Sequence, residues 1–162
     1  HETGEPVPLE WIETLQAARH AGEGYAATEA FSAMILDQVW HQTPYDELPG
    51  SPDEVEAFEE KALASRGVAY RLVPPRYRTA YFSHIWSGSY AAGYYSYLWS
   101  EVMDADTVAW FEENGGPTRE NGDHFRRTLL SRGSSIDVME SYRLFRGADP
   151  DVRHVLERRG LV

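Results

Sequence analysis

Apolar residues recur at helical spacing along almost the whole chain, and no stretch alternates with period two for long enough to predict a strand. Pro8 suits the first turn of a helix whose stripe is Leu9, Trp11, Ile12 and Leu15, ending near Gly22 and Gly24. Phe31, Ile35 and Val39, with Leu36 and Trp40 alongside, predict a second helix from about Ala26 to His41, stopped by Thr43-Pro44. Ser51-Pro52-Asp53-Glu54 matches a capping box, so a third helix is expected to follow with Val55, Phe58 and Ala62 inward and Gly67 at its end.

Pro74-Pro75 breaks the chain before its most aromatic stretch, Tyr77 to Val102. The spacing there predicts a short helix to about Trp86, a turn at Ser87-Gly88-Ser89 and then a long helix closed by Gly115-Gly116-Pro117. Thr118 or Asn121 is placed to cap the next helix, with Phe125, Leu129 and Leu130. Ser134 or Ser135 is placed to cap another, with Val138, Tyr142 and Phe145, and a short helix follows Pro150. The fold class expected is all-α, with residues 1–162 as a single helical lobe and no internal repeat.

With 162 residues, 42% hydrophobic and 13% aromatic, the chain is long and apolar enough for a folded domain or a lobe of a larger one. Ten Tyr and five Trp stand out, because each brings apolar area together with a hydroxyl or indole N–H that needs a partner. A net charge of −11 argues against nucleic acid or an anionic membrane as partner. The longest apolar run, Ala30 to Leu36, is far short of the roughly 18 residues that suggest a membrane span. The start, His1 to Pro8, lacks the features of a signal peptide, and there are no cysteines; a cytoplasmic location is expected.

Metal chemistry would announce itself as two His at i and i+4 with a Glu between. His1-Glu2 begins that way but position 5 is Glu5, and no His-x-x-x-His pair occurs elsewhere. His20 and Glu23 lie three apart, yet Gly22 and Gly24 make a solvated helix end the expected role. Neither a Gly-x-Ser-x-Gly elbow nor a phosphate-binding Gly-rich loop is present. What remains is His84, then Ser87-Gly88-Ser89, then Tyr90, Tyr94 and Tyr97. On a helix these three tyrosines share one face, with Tyr95, Leu98, Trp99 and Val102 on a neighbouring one. Spacing alone favours core slightly over function for such a stripe, and His84 alone reads as a structural histidine. Three aligned phenols nevertheless need three hydroxyl partners, which a wet site supplies more easily than a core, and a phenol is a good donor to an oxyanion.

The run from Tyr81 to Glu101, Tyr-Phe-Ser-His-Ile-Trp-Ser-Gly-Ser-Tyr-Ala-Ala-Gly-Tyr-Tyr-Ser-Tyr-Leu-Trp-Ser-Glu, resembles the substrate-binding signature of the thimet oligopeptidase-like zinc peptidases. Leu36-Asp37-Gln38-Val39-Trp40-His41, Thr118-Arg119-Glu120-Asn121-Gly122, Leu130-Ser131-Arg132-Gly133, Phe145-Arg146-Gly147 and Arg159-Gly160-Leu161 follow the same family's order, so the resemblance spans nearly the whole chain. Trp86, Glu113-Asn114-Gly115-Gly116 and the Arg-Gly-Leu ending are more similar to the peptidyl-dipeptidase Dcp branch than to the oligopeptidase A branch.

The resemblance implies a mostly helical, two-lobed, zincin-like enzyme with a deep channel, of which this chain is the C-terminal portion. It places the zinc on a His-Glu-x-x-His helix and a downstream Glu, both upstream of this chain. No metal is therefore expected in the fragment, which is expected to be inactive alone. By position, His84 is similar to the histidine that hydrogen-bonds the substrate backbone, and Gly88 and Tyr90 lie on the loop that closes on the peptide, Tyr90 being expected to act in catalysis as well as in binding. Tyr97 matches the phenol that stabilises the tetrahedral intermediate, and Tyr94 is a weaker match for a substrate-binding residue. Ser89 departs from the pattern, standing where many relatives have a second Gly, which stiffens the loop. His41 and His124 sit in family-like motifs and are assigned structural roles. The expected partners are short peptides, the missing N-terminal part of the enzyme and, for the fragment alone, a second copy of itself. A noncatalytic helical module that binds a peptide or protein in the same aromatic groove is the alternative.

Overall fold

The computed structural model describes residues 2–162. The chain divides into two compact units, His1–Tyr95 and Ser96–Val162. Both are helical, and no strand forms among the described residues beyond an isolated bridge between Tyr70 and Val73.

The first unit contains α1 (Leu9–Ala18), α2 (Glu23–Gln42), α3 (Val55–Ser65) and α4 (Ser83–Trp86), with single 3₁₀ turns at Tyr45–Glu47, Pro52–Glu54 and Thr79–Tyr81. Its spine is α2, entered through Gly22 at φ 81°, a left-handed value that a side chain would strain. The face of α2 that is fully buried carries Ser32, Ala33, Leu36 and Asp37, not the Phe31, Ile35 and Val39 stripe expected from spacing. The difference arises because α2 is covered on two sides. Ala33 packs with Phe82, Ile85 and Tyr94, while Leu36 packs with Ala62 and Leu63 of α3. Ile35 and Val39 are left on the flank of the second cluster, and Phe31 is 38% exposed.

Ser51 makes no side-chain cap, contrary to the capping-box expectation; the Glu54 carboxylate instead takes the Gly50 N–H at 2.8 Å. On α3 the inward residues are Glu59, Ala62 and Leu63, and Phe58 tilts against the Trp40 ring at 4.4 Å. Glu59 is a buried carboxylate and requires compensation. It accepts the Thr79 N–H at 2.6 Å and the Arg78 guanidinium at 3.0 Å, which fixes the segment entering α4. No residue of α1 is buried, and Leu9, Trp11 and Leu15 face solvent.

The second unit contains α5 (Ser96–Glu113), α6 (Arg119–Phe125) running into a π turn at Arg126–Leu130, α7 (Val138–Arg146) and α8 (Arg153–Arg158). Thr118 caps α6, accepting the Asn121 N–H. Asp137 caps α7 in place of the expected Ser134 or Ser135, accepting the Glu140 N–H at 3.0 Å. A carboxylate adds favourable charge at the positive end of the helix, and Asp137 directly precedes the first apolar residue, Val138. Val102 and Ala105 of α5 pack against Val155 of α8. Fully buried Asp106 is the polar centre of the unit, receiving Tyr142 OH at 2.7 Å and Arg146 Nε at 3.1 Å. Arg146 also forks onto both oxygens of Glu113.

Candidate functional site

His84 sits on α4, and Gly88, Tyr90 and Tyr94 on the irregular segment 87–95 that follows it. Tyr97 lies in the first turn of α5, in the second unit, and is 46% exposed. The long helix expected from the Ser87-Gly88-Ser89 turn onward thus begins only at Ser96, and the three tyrosines do not share a helical face.

Backbone competition explains the late start. Asp37, fully buried on α2, accepts the Ala92 N–H on Oδ1 and the Tyr94 N–H on Oδ2, both at 2.9 Å. Gln38 Nε2 donates to the Ala92 carbonyl at 2.7 Å. In a continuous helix those N–H groups would serve carbonyls four residues back. Pinned to α2 instead, the chain turns tightly, with Gly93 N–H donating to Tyr90 O at 2.7 Å and Ala92 at φ 55°. Gly88 is required for a different reason, since a Cβ there would stand 2.8 Å from the His84 carbonyl oxygen.

The result is one aromatic cluster. The His84 ring lies 4.9 Å from Tyr77, 5.4 Å from Tyr94 and 6.2 Å from Tyr90, edge-on to the last two. Tyr94 is 7% exposed and forms the buried floor with Ala33, Phe82 and Ile85. His84 and Tyr90 are only partly buried and lie beside that floor, their rings edge to face. The arrangement offers hydrogen-bonding groups to a polar chain laid across it, backed by a packed apolar wall.

Asp37 and Gln38 are the residues of this region that spacing did not reveal as important. The available signal was a carboxylate in the inward register of α2, beside Ala33 and Leu36, where an apolar residue is the norm. His41 Nδ1 lies 2.9 Å from Asp37 Oδ1, and its ring is 5.6 Å from that of Trp86. Trp86 Nε1 in turn donates to the Thr79 carbonyl and Trp40 Nε1 to the Thr79 hydroxyl, so four residues of α2, from Asp37 to His41, hold the segment around α4.

The remaining histidines are dispersed. His20 accepts from Arg19 Nε at 2.9 Å, His124 bonds the Phe145 carbonyl and stacks on Trp110, and His154 lies 3.3 Å from Asp106. His1 is outside the described residues. Among the described residues no group of three or more His, Asp or Glu side chains has the geometry to hold a metal, so they do not fit a zinc site. No helix among them is long and apolar enough to cross a membrane.

Residues 1–161 match the family described as Peptidase family M3. The chain is similar to the dipeptidyl carboxypeptidase of Salmonella typhimurium strain LT2, with 42% identity over 160 residues, covering 99% of this chain and 23% of that protein. Similarity to the dipeptidyl carboxypeptidase of Escherichia coli K12 is 41% over 161 residues, again 99% of this chain and 23% of the relative. Oligopeptidase A of Escherichia coli K12 is 36% identical over 163 residues, with the same coverage of 99% and 23%. The chain therefore spans about a quarter of the length of these curated relatives, 23% in each case.

Proposed function

The chain belongs to peptidase family M3, and on that footing we propose that it is the single helical C-terminal portion, residues 1–162, of a cytoplasmic zinc metallopeptidase that cleaves short peptides. Dipeptide release is the favoured mode, supported by the higher identity to the two dipeptidyl carboxypeptidases, 42% and 41%, than to oligopeptidase A at 36%. In this proposal the zinc is held by residues outside the chain, and the chain contributes groups that bind and polarise the peptide. The rest of the same enzyme is its natural partner, and the exposed stripe of α1 is part of the surface through which the isolated chain self-associates.

The observation that carries the proposal is the His84 and Tyr90 pair, His84 on α4 and Tyr90 on the following loop, whose backbone is fixed from α2 rather than absorbed into α5. His84 and Tyr90 donate to the peptide backbone. Gly88 lets the loop approach closely, and Tyr94 acts through its ring contact with His84. Tyr97 donates its phenolic proton to the carbonyl oxygen as that oxygen gains negative charge. That hydrogen bond strengthens as the charge develops and so lowers the barrier selectively.

Kinetics of the full-length enzyme on a short quenched-fluorescence peptide test these roles. Tyr97→Phe should lower kcat on the order of 10²-fold with little change in KM, the signature of a donor used in the transition state. His84→Ala should impair both constants. Wild-type kinetics for Tyr97→Phe would remove the oxyanion role.

A further inference from the structure

We infer that Asp37 is a positioning residue for substrate binding, holding segment 87–95 in the one conformation in which Tyr90 meets the substrate. The inference rests on the proposal that this loop binds peptide.

Asp37 does not behave as a core-filling residue. It is 0% exposed, on a buried helical face shared with Ser32, Ala33 and Leu36, where a leucine would pack without the desolvation cost of a buried carboxylate. Its two oxygens accept backbone N–H groups 55 and 57 residues away, at Ala92 and Tyr94, and His41 Nδ1 of the same helix also lies 2.9 Å from Oδ1. Gln38, one position on, takes the intervening carbonyl. Together they hold three backbone polar groups, the Ala92 N–H and carbonyl and the Tyr94 N–H, of a segment that would otherwise extend α5 toward its N-terminus.

Ala92 records the outcome. Its φ of 55° is a conformation that a non-glycine residue keeps only where its surroundings impose it. Both of its backbone polar groups are held from α2. If the pins were released, the segment would have two cheaper options, continuation of α5 or a mobile loop. Either one moves Tyr90, which lies two residues before Ala92 and accepts the Gly93 N–H that closes the turn. His84 lies on α4, outside the pinned segment, so its placement depends less on Asp37. Asp37 therefore acts on substrate affinity through Tyr90 rather than on the chemical step.

The test uses the full-length enzyme with a short quenched-fluorescence peptide and compares Asp37→Asn, Tyr90→Phe and the double variant. An asparagine keeps one acceptor oxygen but presents an amide N–H₂ to the second backbone donor, so one pin is lost. Asp37→Asn should raise KM about tenfold while kcat changes far less, a modest figure for misplacing a group by part of an ångström. Amide exchange should show Ala92 and Tyr94 losing protection while Leu36 and Leu63 keep theirs. In the Tyr90→Phe background the same substitution should cost no more than about twofold, because the two residues act in series.

An unchanged KM despite lost protection at Ala92 and Tyr94 overturns the inference. So does an undiminished penalty in the Tyr90→Phe background, which would mark Asp37 as a general fold residue. If Tyr90→Phe is itself silent, the peptide-binding role of the loop falls and the Asp37 inference falls with it; a costly Tyr90→Phe beside a silent Asp37→Asn removes the inference alone. Should Asp37→Asn fail to fold, Gln38→Ala releases only the Ala92 carbonyl. It should raise KM in the same direction by a smaller factor, and an unchanged KM then counts against the inference.

Discussion

Tyr142→Phe should destabilise the second unit by about 2 kcal/mol, a figure set by one hydrogen bond to a charged acceptor. Tyr142 is fully buried, and its hydroxyl donates to Asp106 Oδ2 at 2.7 Å. Asp106 is also fully buried, with Arg146 Nε at 3.1 Å and His154 Nε2 at 3.3 Å, both on Oδ1. Phenylalanine preserves the ring and its edge contact with Phe145, so the loss is that of the hydroxyl, which leaves the Asp106 oxygen under-satisfied and gives up a longer contact of 3.3 Å to the Met103 carbonyl. Burial, and then the bond to Asp106, push the Tyr142 hydroxyl above its ordinary value of 10.0, so it remains a donor across the physiological range. Urea unfolding of the chain measures the effect, with fluorescence from Trp110, packed on Phe145, reporting on this unit. A cycle with Asp106→Ala isolates the coupling between the two side chains. A loss below about 0.5 kcal/mol, the ordinary scatter of inconsequential substitutions, would refute the assignment of Asp106 as the unit's polar centre.

Two further predictions concern the loop and the C-terminal helix. In the full-length enzyme, Gly88→Ala should raise KM for short peptides while leaving the protein folded, because the new methyl would sit 2.8 Å from the His84 carbonyl oxygen and must displace the loop; steady-state kinetics on the variant check it. Arg159 first, with Arg158, holds the Glu101 carboxyl below its ordinary 4.5. Its contribution is therefore complete above about 4.5 and is lost as pH falls through the lower folded value, because the unfolded chain takes up the proton first. Protection of the α8 amides, taken relative to their intrinsic exchange rate at each pH, should fall on acidification through that window, and Glu101→Gln should flatten the dependence; identical acid profiles for the two proteins would contradict the pairing.

The helical class and the order of helices were legible because 3.6-residue periodicity survives whatever a helix packs against. The buried face of α2 was less so. Apolar residues encircle much of that helix, and only the two clusters around Ala33 and Leu36 decide which positions are fully covered. Capping of α7 fell to Asp137 because serines at 134 and 135 lie too far from the first helical residue, Val138, to reach its N–H groups. The turn at 87–95 was hidden for a deeper reason. Local preference at Tyr90 to Tyr95 is compatible with helix, and the carboxylate that overrides it comes from a residue more than fifty positions earlier in the chain. At the site, residue chemistry and resemblance singled out His84 and Tyr90 together. The shared helical face drawn through Tyr90, Tyr94 and Tyr97 does not exist in the folded chain.

Purified residues 1–162, assayed for bound zinc by elemental analysis and for cleavage of a quenched-fluorescence peptide beside the full-length enzyme, test the central claim most directly. If the chain supplies substrate-side groups to a zinc site held elsewhere in the protein, it should carry far less than one zinc per chain and cleave nothing, while the full-length enzyme does both. Stoichiometric zinc in the isolated chain, together with peptide cleavage abolished by a chelator, would contradict the account.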